Sequence, residues 1–378
     1  MTRPPRAERP FGLSRGKPGH LPSLPTSRAA AVALSALVAA CGVQGPPRPP
    51  RVEQPAAVRD FAAIQRGKKF VITFTLPTLA TDGERLTKPL EVEIFRVITL
   101  PMGKPPASPP GGSPWKTFLE KDLGSPPRSP SVALEVAVTD AELMQFRDAT
   151  WTFYLRTLTR GFRRRPVASG WSNAQSRTLQ DVSQPVGPIQ IQTTEKALVL
   201  RWPPPAQSIS GGASREPSGY SVFRSPSGKA GTFQLLGETP TASYSDPNFQ
   251  FGTPYYYFVR AFFKTSSNLA ESDDSPVAEI TPSDTFPPRA PSDLTAVFAG
   301  GIVDLIWKAN TETDLAGYNV ERRVEGAQIV KLNPTLLPTP VFRDTTVEPG
   351  RKYFYRVRAA DRSGNTSAPS EEVEVEAR

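Results

Sequence analysis

Cysteine and histidine are almost missing from this sequence, which has one of each, Cys41 and His20, among 378 residues. A single cysteine excludes a disulfide within the chain. One cysteine and one histidine are too few for the usual zinc ligand sets, and they disfavour the common Ser-His and Cys-His nucleophile pairs. Chemistry is therefore left to carboxylates, lysine, tyrosine and serine, and we expect no metal and no cofactor.

The sequence also lacks a long hydrophobic run. An uncharged apolar stretch at residues 29–40 has only twelve residues. As a helix it would span about 18 Å, well short of a ~30 Å hydrocarbon core, so a transmembrane helix is not expected. Basic side chains precede the stretch, namely Arg3, Arg6, Arg9, Arg15, Lys17 and Arg28. A basic segment followed by a short apolar run is typical of a secretory signal peptide, which we place at residues 1–40.

The apolar stretch runs through small residues directly into Cys41 and Gly42. This arrangement resembles the lipobox of bacterial lipoproteins. The resemblance implies cleavage between Ala40 and Cys41 and acyl chains attached to Cys41, hence a membrane partner through an N-terminal lipid anchor. Two or three acyl chains hold a protein stably on a bilayer, because each buried methylene contributes about 0.8 kcal/mol. The alternative is a lone thiol beside an ordinary cleavage site.

Residues 41–55 are dense in proline and glycine, a composition that favours an extended tether over a core. The opening of this tether also resembles the start of small envelope lipoproteins, one of which assists the lipopolysaccharide translocon; the alternative is a plain spacer. Gly42 stands where an aspartate would signal retention at the inner membrane. The resemblance therefore implies a cell-envelope protein at the outer membrane, or at the outer face of the plasma membrane in an organism with one membrane.

Part of the net positive charge of the chain lies in the predicted signal peptide. Its removal takes away six basic residues and Glu8, which lowers the net charge from +9 to about +4. A nucleic-acid-binding protein would need basic residues clustered on one folded face. We therefore expect no nucleic-acid partner.

Two segments in the second half of the chain repeat the same order of strand patterns. In each, an alternating strand ends in tryptophan, at Trp202 and at Trp307. A Gly-Tyr strand follows, and a tyrosine-rich strand comes 35 residues after its tyrosine, from Tyr220 to Tyr255 and from Tyr318 to Tyr353. Strands that alternate apolar and charged residues between proline and glycine turns indicate an antiparallel β-sandwich.

These residues resemble fibronectin type III modules, with a tryptophan on strand B and tyrosines on strands C and F. The resemblance implies an all-β chain of tandem immunoglobulin-like β-sandwiches. We place one module at residues 185–282 and another at residues 288–378. The aromatic residues of both are predicted to form the structural cores: Trp202, Tyr220, Tyr255, Trp307, Tyr318 and Tyr353.

Residues 56–182 are predicted to form a divergent module of the same class. Residues 70–74 would be strand B, with Phe74 in place of the tryptophan. Residues 92–96 would be strand C and residues 151–157 strand F, with Trp151 in place of the tyrosine. The longer spacing between them includes a proline-rich insertion at residues 101–114, which is not expected to be regular structure.

One loop of the first module is a candidate binding site. Four arginines surround one aromatic residue where the F–G loop is predicted: Arg160, Phe162, Arg163, Arg164 and Arg165. Arginine suits bidentate contacts with phosphate or carboxylate groups, as on lipid A cores or acidic glycans. The alternative is a solvated turn.

Nothing in the pattern indicates catalysis, so we expect a protein that is not an enzyme. Its tandem modules would act as a spacer or binding arm for a protein or wall-polymer partner. The alternative is an accessory lipoprotein that binds or processes carbohydrate. Exposed aromatic residues on one concave surface would favour that alternative, and the two to inspect are Trp115 and Trp171.

Overall fold

The computed structural model describes residues 52–104, 106–123, 131–265 and 268–378. Residues Glu53–Arg378 form one compact unit. The predictions for the signal peptide, for Cys41 and for the tether up to residue 51 lie outside the described residues. Within the described ranges, no helix is long and apolar enough to cross a membrane.

The first module packs two sheets around a core that includes Phe74 and Trp151. Its strands are β1 (Ala62–Arg66), β2 (Lys69–Thr75), β3 (Glu91–Thr99), β4 (Lys116–Phe118), β5 (Ser131–Ala137), β6 (Thr150–Arg160), β7 (Pro166–Ala168) and β8 (Gln175–Thr178). One sheet contains β1, β2 and β5, and the other contains β3, β4, β6, β7 and β8. A short helix, α1 (Asp140–Gln145), lies between β5 and β6 and is capped by Thr139, whose side chain accepts the Glu142 N–H.

The second module has a three-stranded sheet and, opposite it, a sheet built around its C and F strands. Its strands are β9 (Gln190–Thr193), β10 (Leu198–Arg201), β11 (Gly219–Ser225), β12 (Gln234–Thr239), β13 (Ser243–Asp246), β14 (Tyr255–Lys264), β15 (Leu269–Glu271) and β16 (Ala278–Ile280). The first sheet has the order β13-β10-β9. The second brings β12, β11 (strand C) and β14 (strand F) side by side, and both β15 and β16 pair with β14.

The third module repeats this arrangement. Its strands are β17 (Ser292–Ala299), β18 (Ile302–Lys308), β19 (Leu315–Val324), β20 (Val330–Lys331), β21 (Val341–Asp344), β22 (Lys352–Asp361) and β23 (Val373–Glu376). The sheets have the orders β17-β18-β21 and β20-β19-β22-β23. The predicted fold class, an all-β chain of tandem immunoglobulin-like sandwiches of the fibronectin type III kind, is confirmed by these sheets.

A Ser-x-x-Ser pair follows the F strand, which is β6, β14 or β22, in all three modules. It connects that strand to the G strand that comes next in the chain. In the third module, the Ala359 N–H donates to Ser367 Oγ at 2.9 Å, and the Val357 N–H donates to Ser370 Oγ at 3.0 Å. The same bonds to the F strand recur in the other modules, at Ser169, Ser172, Ser272 and Ser275. The hydroxyls replace carbonyl acceptors of the ladder, so the first module shares a local device with the other two.

The first two modules share one sheet. Strand β15 of the second module pairs in parallel with β1 of the first, at Gln65 with Ala270 and at Arg66 with Glu271. This pairing joins both modules in an eight-stranded sheet, in which β12, β11, β14, β15, β1, β2 and β5 are successive neighbours. The Phe263 side chain, from the same hairpin of the second module, lies in the core of the first.

The long loop of residues 203–217 forms a second contact between these modules. Ile209 lies in the core of the first module, and its N–H donates to the Val182 carbonyl at 2.8 Å. Ser210 Oγ donates to Asp181 at 2.6 Å, and Arg147 Nη2 donates to the same carboxylate at 2.7 Å. The first two modules are therefore held together by both core and polar contacts.

Candidate functional site

The basic loop connects β6 to β7 at one end of the first module. It is closed by a hydrogen bond from the Gly161 N–H to the Arg165 carbonyl at 2.7 Å. Arg163 and Arg164 both have left-handed backbone angles, with φ of 54° and 59°. Two successive non-glycine residues in this region are uncommon and costly, so the turn holds its arginines in a strained conformation.

All four arginines are exposed, but Arg160 already has a carboxylate partner. Arg160 Nε donates to Glu91 Oε1 at 3.0 Å, so its charge is already balanced. Arg163, Arg164 and Arg165 are exposed. Among the described residues, Arg164 and Arg165 make no ion pair. The Phe162 side chain lies outside what the structure describes.

Trp171 lies on the outer face of the first module and is only partly buried. Its ring packs edge-on against Phe95, with centroids 4.8 Å apart, and against Tyr154 at 6.3 Å. The Arg156 guanidinium covers it at 5.1 Å from the ring centroid, while Arg156 Nε donates to Glu93 at 2.7 Å. A cation held over the ring occupies the surface on which a sugar would stack.

Trp115 is covered in the same way. The Arg96 guanidinium lies 4.2 Å from its ring centroid and equally close to Trp151. The Trp115 ring also packs against those of Trp151 and Phe153, with centroids 6.0 Å away in each case. Neither of the two tryptophans singled out from the sequence therefore presents an open aromatic platform.

The predicted core residues occupy the module interiors, with one of them nearer the surface. Trp202 and Tyr220 pack edge to face at 5.4 Å, and Trp307 and Tyr318 repeat this geometry at 5.2 Å. Tyr255 is only partly buried. Its hydroxyl accepts the Gln250 N–H at 2.9 Å, as the hydroxyl of the buried Tyr353 accepts the Glu348 N–H at 2.7 Å. Phe74 and Trp151 are buried in the first module.

The most strongly perturbed titratable groups form a buried lock in the second and third modules. Asp344 accepts hydrogen bonds from Tyr355 at 2.8 Å and from Arg322 at 2.7 Å. Burial opposes ionisation of Asp344, but hydrogen bonds from Thr346, Tyr355 and Arg322 outweigh it and lower the carboxyl pKa. Burial and the Asp344 bond raise the pKa of Tyr355 well above its ordinary value. The second module repeats the lock with Asp246, Tyr257 and Arg224.

This lock is a structural feature, because in both modules the buried carboxylate accepts hydrogen bonds from the tyrosine and the arginine inside the module. The Asp344 side chain is 2 % exposed, which leaves no access for a substrate. The same holds for Asp246, whose side chain is fully buried. The perturbed pKa values therefore mark a lock that joins β19, β21 and β22 in the third module and β11, β13 and β14 in the second.

Three carboxylates that are distant in sequence meet near the start of the third module. Oxygens of Asp284, Asp314 and Asp361 lie within 4.8 Å of one another. Oxygen ligands of this kind suit a hard cation. Ser363 Oγ also donates to Asp284 at 2.9 Å, and Asn365 Nδ2 donates to Asp361 at 2.8 Å. No local spacing in the sequence links these three aspartates, which lie at positions 284, 314 and 361.

No protein-family model matches the chain. A stretch of 163 residues, 42% of the chain, is 34% identical to exoglucanase B of Cellulomonas fimi and covers 14% of it. A stretch of 195 residues, 49% of the chain, is 30% identical to endoglucanase B of the same species and covers 17% of it. The amylopullulanase of Thermoanaerobacterium saccharolyticum is 39% identical over 89 residues, 23% of this chain and 7% of that protein.

The chain thus spans less than a fifth of the length of each of these curated relatives. Among solved structures, the three modules FN1–FN3 of chicken CNTN1 are 15% identical, with a TM-score of 0.25 over 86% of this chain and 98% of that one. The family resemblance therefore rests on the repeated strand pattern and the sheets described above.

Proposed function

We propose that this chain is a lipid-anchored, non-catalytic arm of the cell envelope that presents its modules to a protein or wall-polymer partner. The observation that carries the proposal is the eight-stranded sheet that joins the first two modules. Modules joined only by flexible linkers would change their relative orientation freely. Two modules that share a sheet and a core keep a fixed relative orientation, which is what a spacer or binding arm requires.

The rigid connection between the first two modules is testable by distance measurement. Because Cys41 is the only cysteine, a Cys41→Ala chain accepts labels only at introduced sites. We expect spin labels at exposed Lys121 and Lys229, each changed to Cys, to give a distance distribution as narrow as a pair within the second module at Lys196 and Lys229. A broad distribution for the first pair alone would contradict the rigid arm.

The anchor and the partner need a measurement in cells. The wild-type chain should fractionate with membranes and carry an acyl modification on the peptide that begins at Cys41. The Cys41→Ala chain should lose both. In-cell crosslinking with the two forms should capture a discrete partner that depends on anchoring; if no partner is captured with either form, the binding role is wrong and only a spacer role is left.

A second candidate function is an accessory carbohydrate-binding or glycan-processing lipoprotein. It is favoured by the partial similarity to two glucanases and an amylopullulanase. The arginine cations over Trp115 and Trp171 oppose it. Retention of the chain on insoluble cellulose or starch, lost on Trp171→Ala but kept on Lys196→Ala, would establish this alternative. No retention would support the non-catalytic arm.

A further inference from the structure

The folded unit begins beside the basic loop. Thr159 Oγ1, just before the loop, donates a buried hydrogen bond to the Glu53 carbonyl at 2.7 Å. Gln54 Nε2 donates to the Ala168 carbonyl, just after the loop, at 3.0 Å. The loop and the point at which the chain enters the first module therefore lie at the same end of that module.

Two carboxylates at this end, those of Glu53 and Glu91, already have partners. The Glu53 carboxylate accepts the Thr87 N–H at 2.9 Å and the Thr87 hydroxyl at 2.7 Å, and Lys88 Nζ lies 3.9 Å away. Glu91 holds Arg160. The exposed guanidinium groups of Arg164 and Arg165 are therefore not neutralised by these carboxylates.

The strained backbone of the loop adds a second observation. Glycine or asparagine would adopt the left-handed conformation at Arg163 and Arg164 at lower cost. Strained positions of this kind persist where the surrounding structure enforces them, and they cluster at functional sites. Here the strained positions lie on a closed turn whose arginines are exposed.

The length of the tether limits how far this loop can lie from Cys41. Glu53 is twelve positions after Cys41, and a fully extended chain of that length spans about 40 Å at most. This step rests on the proposed function, because it takes Cys41 as the anchored residue. An anchor this close gives the loop a high effective concentration at the bilayer surface, so individually weak contacts become effective.

We propose that Arg164 and Arg165 bind the phosphate groups of anionic lipid headgroups in the membrane that anchors the chain. A guanidinium matches phosphate geometry with two parallel hydrogen bonds, and its charge is permanent. Near an anionic surface, each arginine contributes roughly fivefold in affinity, so two contribute about thirtyfold. The contact draws the first module down onto the bilayer and restricts the direction in which the arm extends.

The test is vesicle co-sedimentation of the chain from residue 42 onward, which lacks both the acylated cysteine and the basic signal peptide that would otherwise dominate binding. One vesicle set contains phosphatidylcholine alone, and the other has part of it replaced by phosphatidylglycerol. The loop variant is Arg164→Ser with Arg165→Ser, and a lysine variant, Arg164→Lys with Arg165→Lys, keeps the charge. The matched control, Lys196→Ser with Lys308→Ser, removes the same charge from exposed positions in the other two modules.

We expect the serine variant to lose about thirtyfold in affinity for the anionic vesicles relative to the parent chain, and high salt to remove the difference. The lysine variant should retain most of the binding and the control all of it. Equal binding by the parent chain and the serine variant would overturn the proposal, as would an equal loss in the control. Displacement by inorganic phosphate at constant ionic strength would show a soluble phosphate ligand instead of a lipid surface.

A separate measurement tests whether Cys41 is anchored, so that failure of the proposed function can be told apart from failure of lipid binding by the loop. Mass spectrometry of the wild-type chain shows whether Cys41 is acylated. An unmodified Cys41 would refute the proposed function, while the vesicle comparison would still report whether the loop arginines bind anionic lipid.

Discussion

At the residue scale, the aromatic side chains on strands B and C illustrate how the cores are built. Trp202 and Trp307 take the same place in their modules and pack edge to face on Tyr220 and Tyr318. Their indole N–H groups have no hydrogen-bond partner among the described residues. These tryptophans therefore stabilise the modules through packed volume and apolar burial.

Trp307→Ala should lower the free energy of unfolding of the third module by about 3–5 kcal/mol, because it leaves a large cavity. Trp307→Phe should cost much less, since the indole N–H makes no bond that the change would remove. Denaturant unfolding of the full chain, followed by hydrogen exchange in β18 and β19, would measure both. Equal losses for the two variants would show that the indole nitrogen is used after all.

The Asp344 lock should make the third module sensitive to acid. Its carboxyl pKa is lowered in the folded state, so the stabilisation is present above the unfolded pKa, near 4, and is lost as the pH falls through the folded value. Asp344→Asn should destabilise the module at neutral pH, because it leaves Arg322 without its charged partner. It should also flatten the fall in stability below about pH 4.

The measurement for Asp344 is thermal unfolding across the acid range for the parent chain and for Asp344→Asn. Asp304→Asn is the control, because Asp304 pairs with Arg343 on an exposed surface where ion pairs contribute little. An unchanged acid profile in Asp344→Asn would show that another carboxylate controls the transition.

At the element scale, the G strands depend on side chains as well as on the ladder. In the second module the Ser-x-x-Ser pair lies between β15 and β16, which both pair with β14, and in the first module it lies between β7 and β8, which both pair with β6. Each hydroxyl accepts an F-strand N–H and donates to the carbonyl of the next residue. The pair follows an F strand three times in the sequence, but its two serines are polar and three residues apart, so period-two alternation of apolar residues does not reveal it.

Ser367→Ala should cost about 1–3 kcal/mol, because it leaves the buried Ala359 N–H without an acceptor. Ser292→Ala, at an exposed position of β17, should leave stability nearly unchanged. Denaturant midpoints of the two variants, with faster amide exchange at Ala359 in Ser367→Ala, would check the expectation. Equal midpoints would mean that water replaces the hydroxyl.

At the scale of the whole molecule, the first two modules are expected to unfold together. Phe263 lies on β14 of the second module, but its side chain packs in the core of the first module. Phe263→Ala should therefore lower the stability of both by about 3–5 kcal/mol and leave the third module unaffected. Hydrogen exchange read separately in β2, β14 and β22 would test this. Loss of protection in β14 alone would show that the two modules are energetically independent.

Much of the fold was predictable from the sequence because its signals are local. Period-two alternation located β2, β3 and β6 as well as the B, C and F strands of the later modules, and the repeated 35-residue spacing indicated tandem sandwiches. The proline, glycine and serine residues at 203–217 are also typical of a loop. Its role was not predictable, because Ile209 contacts a core formed by residues that precede it in another module.

The sequence by itself determined the strand patterns, the aromatic core positions and the composition of the basic loop, because each depends on residues within a few positions of one another. Only the tertiary structure decided that β15 joins β1 across some two hundred residues, that three distant aspartates converge, and that cations cover Trp115 and Trp171. It also placed the basic loop beside Glu53. Long-range pairing depends on which surfaces remain unsatisfied after each module has folded, and a local pattern does not contain that information.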